Sequence, residues 1–176
     1  MKLYLNIFLS LVFFQIITFS QSLIQDYKVI ESDKDHIILE FNFENKFNIE
    51  DFFIEGIKFT KIVDPMFPIQ DPGNPYLPTR YYNVGIPLNS EAKVTILDEK
   101  KDFIKDKFVI ATPDSADQPY KSIRYNQDVY GINNYFPTNS ASINSTAIFR
   151  YLKTASLFIS PFQFNPVERT LIFNKK

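Results

Sequence analysis

The segment from Asp71 to Pro87 restricts the fold of this 176-residue chain more than any other. It contains a Gly-x-Pro-x-Leu-Pro element formed by Gly73, Pro75, Leu77 and Pro78. Proline fixes φ and has no N–H to donate, whereas glycine can adopt positive φ, so the element predicts a stiff, extended lead-in. A strand over Arg80–Ile86, closed by Pro87, is expected to follow it.

Several other segments have the period of a β-strand. Leu39, Phe41 and Phe43 alternate with polar residues, which is the pattern of a half-buried strand. Further strands are predicted in the ranges 27–30, 51–59 (with Gly56 as a candidate bulge), 94–96, 103–110, 147–160 and 169–173. No segment shows a long helical stripe. The pattern predicts an all-β domain of about seven to nine strands, an antiparallel β-sandwich of jelly-roll type.

The range 112–145 differs, because it is polar, rich in Tyr and Asn, and without a clear period. We predict a long irregular loop, and loops of this length are often functional. Its aromatic residues either form a contact surface for a partner or fold back as a cover on the sheet. They are Tyr120, Tyr125, Tyr130, Tyr135 and Phe136.

Residues 1–22 are predicted to form a signal peptide. Lys2 precedes an apolar run over 3–19, and small residues follow at Ser20 and Ser22, after either of which a cut would fit. An uncleaved anchor is the alternative, but a bilayer span needs about 20 predominantly apolar residues. Residues 23–176 then form one domain, exported to the periplasm, the cell surface or the exterior.

Composition argues against several classes of protein. The formal net charge is −1, so the basic footprint of a nucleic-acid binder is missing. The chain has no cysteine, so it has neither a disulfide framework nor a thiolate nucleophile. His36 is the only histidine, and its place beside a charged turn at the start of a strand favours a surface role over a catalytic triad.

Two groups of acidic residues are candidate metal ligands. Asp33 and Asp35 lie beside His36, but the pattern lacks a second set of ligands. Asp114 and Asp117 lie near prolines, which is typical of turns. We therefore interpret both groups as turn carboxylates and predict no metal, no cofactor and no catalytic residue.

A second motif lies near the C-terminus, in the segment SPFQFNPVERTL, and consists of Pro161, Gln163, Asn165 and Pro166. Together with the Gly-x-Pro-x-Leu-Pro element and the strand ending at Ile86-Pro87, it resembles the N-terminal propeptide of gingipain-type cysteine peptidases, the C25 family of Bacteroidetes. In that family a P-x-Q-Y-N-P segment leads to a closing strand, and Phe164 stands here where Tyr is common. The resemblance covers roughly residues 27–173.

This resemblance implies a binding function without catalysis. The chain would keep a cognate cysteine peptidase latent by occluding its active site, assist its folding, and use the type IX secretion route. The catalytic domain would follow in cis if the precursor is full length, with this chain truncated before it, or be met in trans. The alternative is a stand-alone exported β-sandwich that binds carbohydrate or an adhesion protein, which the absence of Trp weakens.

Peptidases of the resembled family cleave after Arg or Lys, so a basic side chain offered to an acidic specificity pocket is one route to latency. Arg80, Lys121 and Arg124 lie in or beside irregular stretches. Lys121 and Arg124 are the candidates for an inhibitory loop, because both belong to the range 112–145. For each of them the alternative is a solvated loop cation.

Overall fold

The computed structural model describes residues 26–64, 71–114 and 123–176. In these ranges it has ten strands and one short helix. The strands are β1 (Tyr27–Ser32), β2 (Ile37–Phe41), β3 (Asn48–Ile54), β4 (Ile57–Val63), β5 (Arg80–Ile86), β6 (Lys101–Ile104), β7 (Ala141–Phe149), β8 (Leu152–Ile159), β9 (Phe162–Asn165) and β10 (Thr170–Asn174). The helix is α1 (Gln127–Tyr130). The predicted signal peptide, 1–22, lies outside the described residues.

All strand pairs in these ladders are antiparallel, and the all-β prediction is confirmed. Two of the sheets are two-stranded, β1-β2 and β3-β4, and two are three-stranded, β6-β10-β9 and β5-β8-β7. Two apolar clusters lie between them. The first contains Ile62, Leu77, Val109, Phe162, Phe164 and Leu171, and the second Phe43, Leu157 and Ile159. Phe173 packs against both clusters, so the two halves of the sandwich share one continuous interior.

The predicted strand 51–59 is in fact a hairpin. Glu55 and Gly56 form its two-residue turn between β3 and β4, with φ of 49° and 82°. Two positive φ values in succession are typical of the tight turns that match the twist of paired strands. Gly56 is therefore a turn residue, and the expectation of a bulge is wrong.

Three other boundaries differ from the sequence prediction. Residues 94–96 are not in a strand, and β6 covers only the start of the predicted 103–110 strand. The predicted 147–160 strand is a hairpin whose first strand, β7, already begins at Ala141, inside the predicted loop. Residues 112–140 also include α1. The long irregular loop is thus shorter than predicted at its C-terminal end.

The segment between β6 and the long loop joins the ladders by backbone bonds. The Thr60 N–H donates to Phe108 O at 2.7 Å, and Ile110 N–H donates to Thr60 O at 3.0 Å. On its other side Tyr76 N–H donates to Ile110 O at 2.9 Å. Residues 108–111 therefore lie between β4 and the Gly-x-Pro-x-Leu-Pro element.

The helical content of the described residues is limited to α1, which is four residues long. No helix in these ranges has the length and apolar character needed to cross a membrane.

Candidate functional site

Gly73 bonds to the start of the predicted loop, at Thr112, and to Asn126 within it. Its N–H donates to Thr112 O, and its carbonyl accepts from Asn126 N–H, both at 2.9 Å. Its φ is +86°, a conformation that glycine adopts without steric cost. A Cβ at this position would meet the nitrogen of Asn126 at 3.2 Å. The glycine therefore permits both the turn and the close approach of residues 124–126.

The other residues of the element anchor it in the interior. Pro75, Leu77 and Pro78 are fully buried, and Leu77 belongs to the first apolar cluster. Proline suits the buried positions because it brings no backbone N–H that would need a partner. At the far end of β5, Ile86 pairs with Lys153 and is half-buried, while Pro87 is exposed.

The second motif holds the C-terminal part of the same loop. The Gln163 side chain donates to the carbonyls of Pro137 and Thr138 at 3.0 and 3.1 Å. Asn165 Nδ2 donates to Asn133 Oδ1 at 2.7 Å, and its Oδ1 accepts from the backbone of residues 167 and 168. Pro161 and Pro166, which flank this segment, are buried. The motif residues therefore tether residues 133–138 to β9.

Of the two predicted inhibitory residues, Arg124 is among the described residues. Lys121, like Tyr120, lies outside the described residues. The Arg124 side chain is 83% exposed, and its Nε lies 3.4 Å from Asp114 Oδ2. An exposed pair of this kind contributes little to stability, so Arg124 is free to contact a partner at small cost.

Arg80 has a different environment from the two loop cations. Its side chain is 7% exposed and pairs with Asp64 through two bonds of 2.6 and 2.8 Å, and with Asp26 at 3.1 Å. Burial acts to lower the pKa of Arg80, but the hydrogen bonds and charges of the two carboxylates raise it overall. Lys46 also pairs with Asp26 at 2.5 Å. Arg80 is therefore part of an interior ion-pair cluster and cannot reach a partner.

Three of the aromatic residues of the loop pack inward, and Tyr135 is half-buried. Tyr125 and Tyr130 lie edge to face, and both contact Phe108. The Tyr130 hydroxyl donates to Val109 O at 2.9 Å, and burial raises the pKa of Tyr130. The backbone of Phe136 pairs with that of Phe164. These three aromatic residues form a cover on the sheet rather than a free surface.

A second exposed basic position was missed by the sequence analysis. Arg150 lies in the two-residue turn between β7 and β8, with φ +57°, and its guanidinium carbon is 5.5 Å from the centre of the Phe149 ring. Phe149 is 74% exposed and Tyr151 is 90% exposed. We call residues 148–152 the hairpin tip. The range 147–160 is too long for one ordinary strand, and that length was the available signal.

The acidic group near His36 lies in the β1–β2 turn. The two ring nitrogens of His36 are 3.1 Å from Asp33 Oδ2 and 3.3 Å from Glu31 Oε1, and all three residues are exposed. Backbone hydrogen bonds from Asp35 and His36 lower the pKa of Asp33. Among the described residues, Glu31, Asp33 and His36 are the group whose ligand atoms come close enough together to hold a metal ion. The geometry of the β1–β2 turn explains why they are close, and no metal ion is needed to explain it.

Comparison with known proteins places this fold among the propeptide domains of peptidase zymogens. The family model Propeptide_C25 matches residues 26–176, and the chain belongs to this family of C25 peptidase propeptides. The sequence matches none of the curated proteins compared with it.

Two solved structures from Porphyromonas gingivalis have a similar fold. The complex of RgpB pro- and mature domains is 18% identical, with a TM-score of 0.71, over 86% of this chain and 79% of that chain. A structure addressing the zymogenic latency of gingipain K is 17% identical, with a TM-score of 0.58, over 85% of this chain and 93% of that chain. At such identities the likeness concerns the fold alone.

Proposed function

We propose that this chain binds the catalytic domain of a C25 cysteine peptidase, keeps it latent by occluding its active site, and assists its folding. The observation that carries this proposal is the family match over residues 26–176. The solved structures with a similar fold concern a complex of pro- and mature domains and zymogenic latency. Contact occurs in cis where one precursor carries both domains and in trans where they are separate chains.

Occlusion requires an exposed surface that can cover the active site of the enzyme. Inhibitors of this kind bury about 800 Å² on each partner, and a few central Arg, Tyr or Trp side chains supply most of the affinity. The hairpin tip offers Arg150 between the exposed Phe149 and Tyr151. A charge-assisted bond from its guanidinium suits a pocket that selects basic residues. We therefore add Arg150 to the inhibitory candidates.

The loop cations Lys121 and Arg124 remain candidates for the same role. Arg124 is exposed, and Gly73 bonds to Thr112 and Asn126, which lie on either side of the segment that carries both cations. If the loop contacts the active site, inhibition depends on Arg124. If the hairpin tip does, inhibition depends on Arg150.

Inhibition of the cognate C25 catalytic domain by the added chain tests the proposal. We expect Arg150→Ala, or alternatively Arg124→Ala or Lys121→Ala, to weaken inhibition by about 30-fold or more, as the loss of a hot-spot residue does. Lys34→Ala is the matched control, since Lys34 is 89% exposed and pairs only with its neighbour Asp35 among the ion pairs described. A wild-type chain that neither binds nor inhibits the catalytic domain would overturn the function. Binding to a glycan or adhesion protein instead would favour the stand-alone module.

Export belongs to the same proposal. We infer that a signal peptide within residues 1–22 is removed by a cut after Ser20 or Ser22, and that the rest of the chain acts outside the cytoplasm, by the type IX route. N-terminal sequencing of the protein recovered from periplasm, cell surface and medium tests this, and a first residue of Gln21 or Leu23 is expected. An intact Met1 in every fraction would contradict it.

A further inference from the structure

We propose that Asn74 is a positioning residue, which forms a clasp with Asn126 and so presents Arg124 to the peptidase in one orientation. This inference rests on the proposed function and deepens it, since it names what holds one of the inhibitory candidates. Asn74 occupies a variable position of the Gly-x-Pro-x-Leu-Pro element, and nothing in the motif itself singles it out.

The clasp is a side-chain bond at the base of the loop. Asn126 Nδ2 donates to Asn74 Oδ1 at 2.8 Å, and the pair is partly buried. The backbone carbonyl of Asn74 accepts from Thr112 N–H at 2.7 Å. Asn74 thus touches both ends of the segment 113–125, one through its backbone and one through its side chain. Arg124 lies two residues from Asn126.

Asn126 makes a second hydrogen bond, which links the clasp to α1. Its Oδ1 accepts from Asp128 N–H at 3.1 Å and caps α1, while Tyr130 in the same helix is bonded to Val109 O. One amide therefore connects the loop base, the helix and the covered sheet. A cap of this kind fixes where a helix begins, and here it also limits the directions in which Arg124 can project.

The ion pair of Arg124 cannot supply this restraint by itself. It is exposed, with 83% and 42% of the two side chains accessible, and Nε is 3.4 Å from the carboxylate. Exposed pairs form and break readily, whereas a loop held in its bound conformation loses less entropy on association. The clasp is therefore the contact expected to preorganise Arg124.

Hydrogen–deuterium exchange of the 176-residue chain tests the clasp without any peptidase. We expect Asn74→Ala to raise the exchange of the Thr112 and Asn126 amides about three- to tenfold, as the loss of one hydrogen bond predicts. Asn74→Asp keeps an acceptor for Asn126 Nδ2 and should restore protection. Asn48→Ala is the control, because Asn48 also donates through its side chain, to Glu50 at 2.8 Å on β3. Unchanged exchange at both amides in Asn74→Ala would overturn the clasp.

Inhibition of the cognate catalytic domain then tests positioning. If Asn74 acts through Arg124, Asn74→Ala should speed dissociation several-fold, Asn74→Asp should not, and the double variant with Arg124→Ala should equal Arg124→Ala alone. Additive losses would overturn the positioning role. If wild type fails to inhibit while the exchange result holds, the proposed function fails and the clasp stands as a feature of the free chain.

Discussion

The two ends of the β5-β8-β7 sheet each carry an arginine, and the two side chains have opposite surroundings. At the anchored end, which comprises Arg80 and the Gly-x-Pro-x-Leu-Pro element before it, Arg80 pairs with Asp26 and Asp64 in the interior. At the hairpin tip, Arg150 lies over an exposed ring. The difference teaches that Arg80 serves stability because carboxylates surround it in the interior, whereas Arg150 is left accessible for the contact proposed above.

The largest expected effect is at Arg80. Arg80→Met removes the two guanidinium bonds to the buried Asp64 carboxylate and one bond to Asp26, which keeps Lys46, and breaking a buried pair in this way costs about 3–5 kcal/mol. Urea unfolding of the variant measures the loss. Arg150→Met is the matched control, with an expected change within about 0.5 kcal/mol at an exposed site. Equal losses in the two variants would remove the contrast between the two ends.

The next effect is at Gly73, which belongs to the anchored end. Gly73→Ala places a Cβ 3.2 Å from the Asn126 nitrogen at a φ of +86°, so strain of about 1–3 kcal/mol is expected. Gly85→Ala, within β5, is the control, because a Cβ added there would meet only a Leu152 side-chain atom, at 3.9 Å. Thermal unfolding compares the two variants, and a Gly73→Ala variant as stable as Gly85→Ala would contradict the need for glycine at position 73.

A smaller effect of about 1 kcal/mol is expected for Tyr130→Phe, which removes the hydroxyl that donates to Val109 O. The dependence of stability on pH gives a second test of the Tyr130 hydroxyl. Burial raises the pKa of Tyr130 above its ordinary 10.0, so its contribution is complete below pH 10 and is lost as the pH rises beyond that value. Unfolding titrations from pH 8 upward should show a weaker alkaline loss in Tyr130→Phe. Identical alkaline curves would mean that this hydroxyl is not the responsive group.

The smallest effect on stability is expected at the hairpin tip. Phe149→Ser with Tyr151→Ser removes two exposed rings, so the free energy of unfolding should change by less than about 0.5 kcal/mol for each. Binding of the cognate catalytic domain should weaken in the same protein if the tip is the contact. A large loss of stability would show instead that the tip packs against the chain.

Local patterns predicted much of this fold correctly. Arg80–Ile86 is a strand with the expected bounds, because prolines stop the chain from forming a helix before and after it. The alternation of Leu39 and Phe41 likewise marked β2. The strand β7 was missed at its start, since Ala141 and Ser142 have no apolar period and resemble loop residues. The β3–β4 turn was missed because Gly56 inside an apolar run suggests a bulge as readily as a turn.

The sequence by itself determined the strand-rich architecture, the stiff entry into β5 and the likeness to C25 propeptides, because these depend on φ preferences and on neighbours within a few residues. Only the tertiary structure decided which cations are buried and which are exposed. Arg80 meets Asp26 and Asp64 from 54 and 16 residues away, and Gly73 bonds to Asn126, which is also distant in the sequence. Such contacts depend on the packing of whole ladders, and no local pattern encodes them.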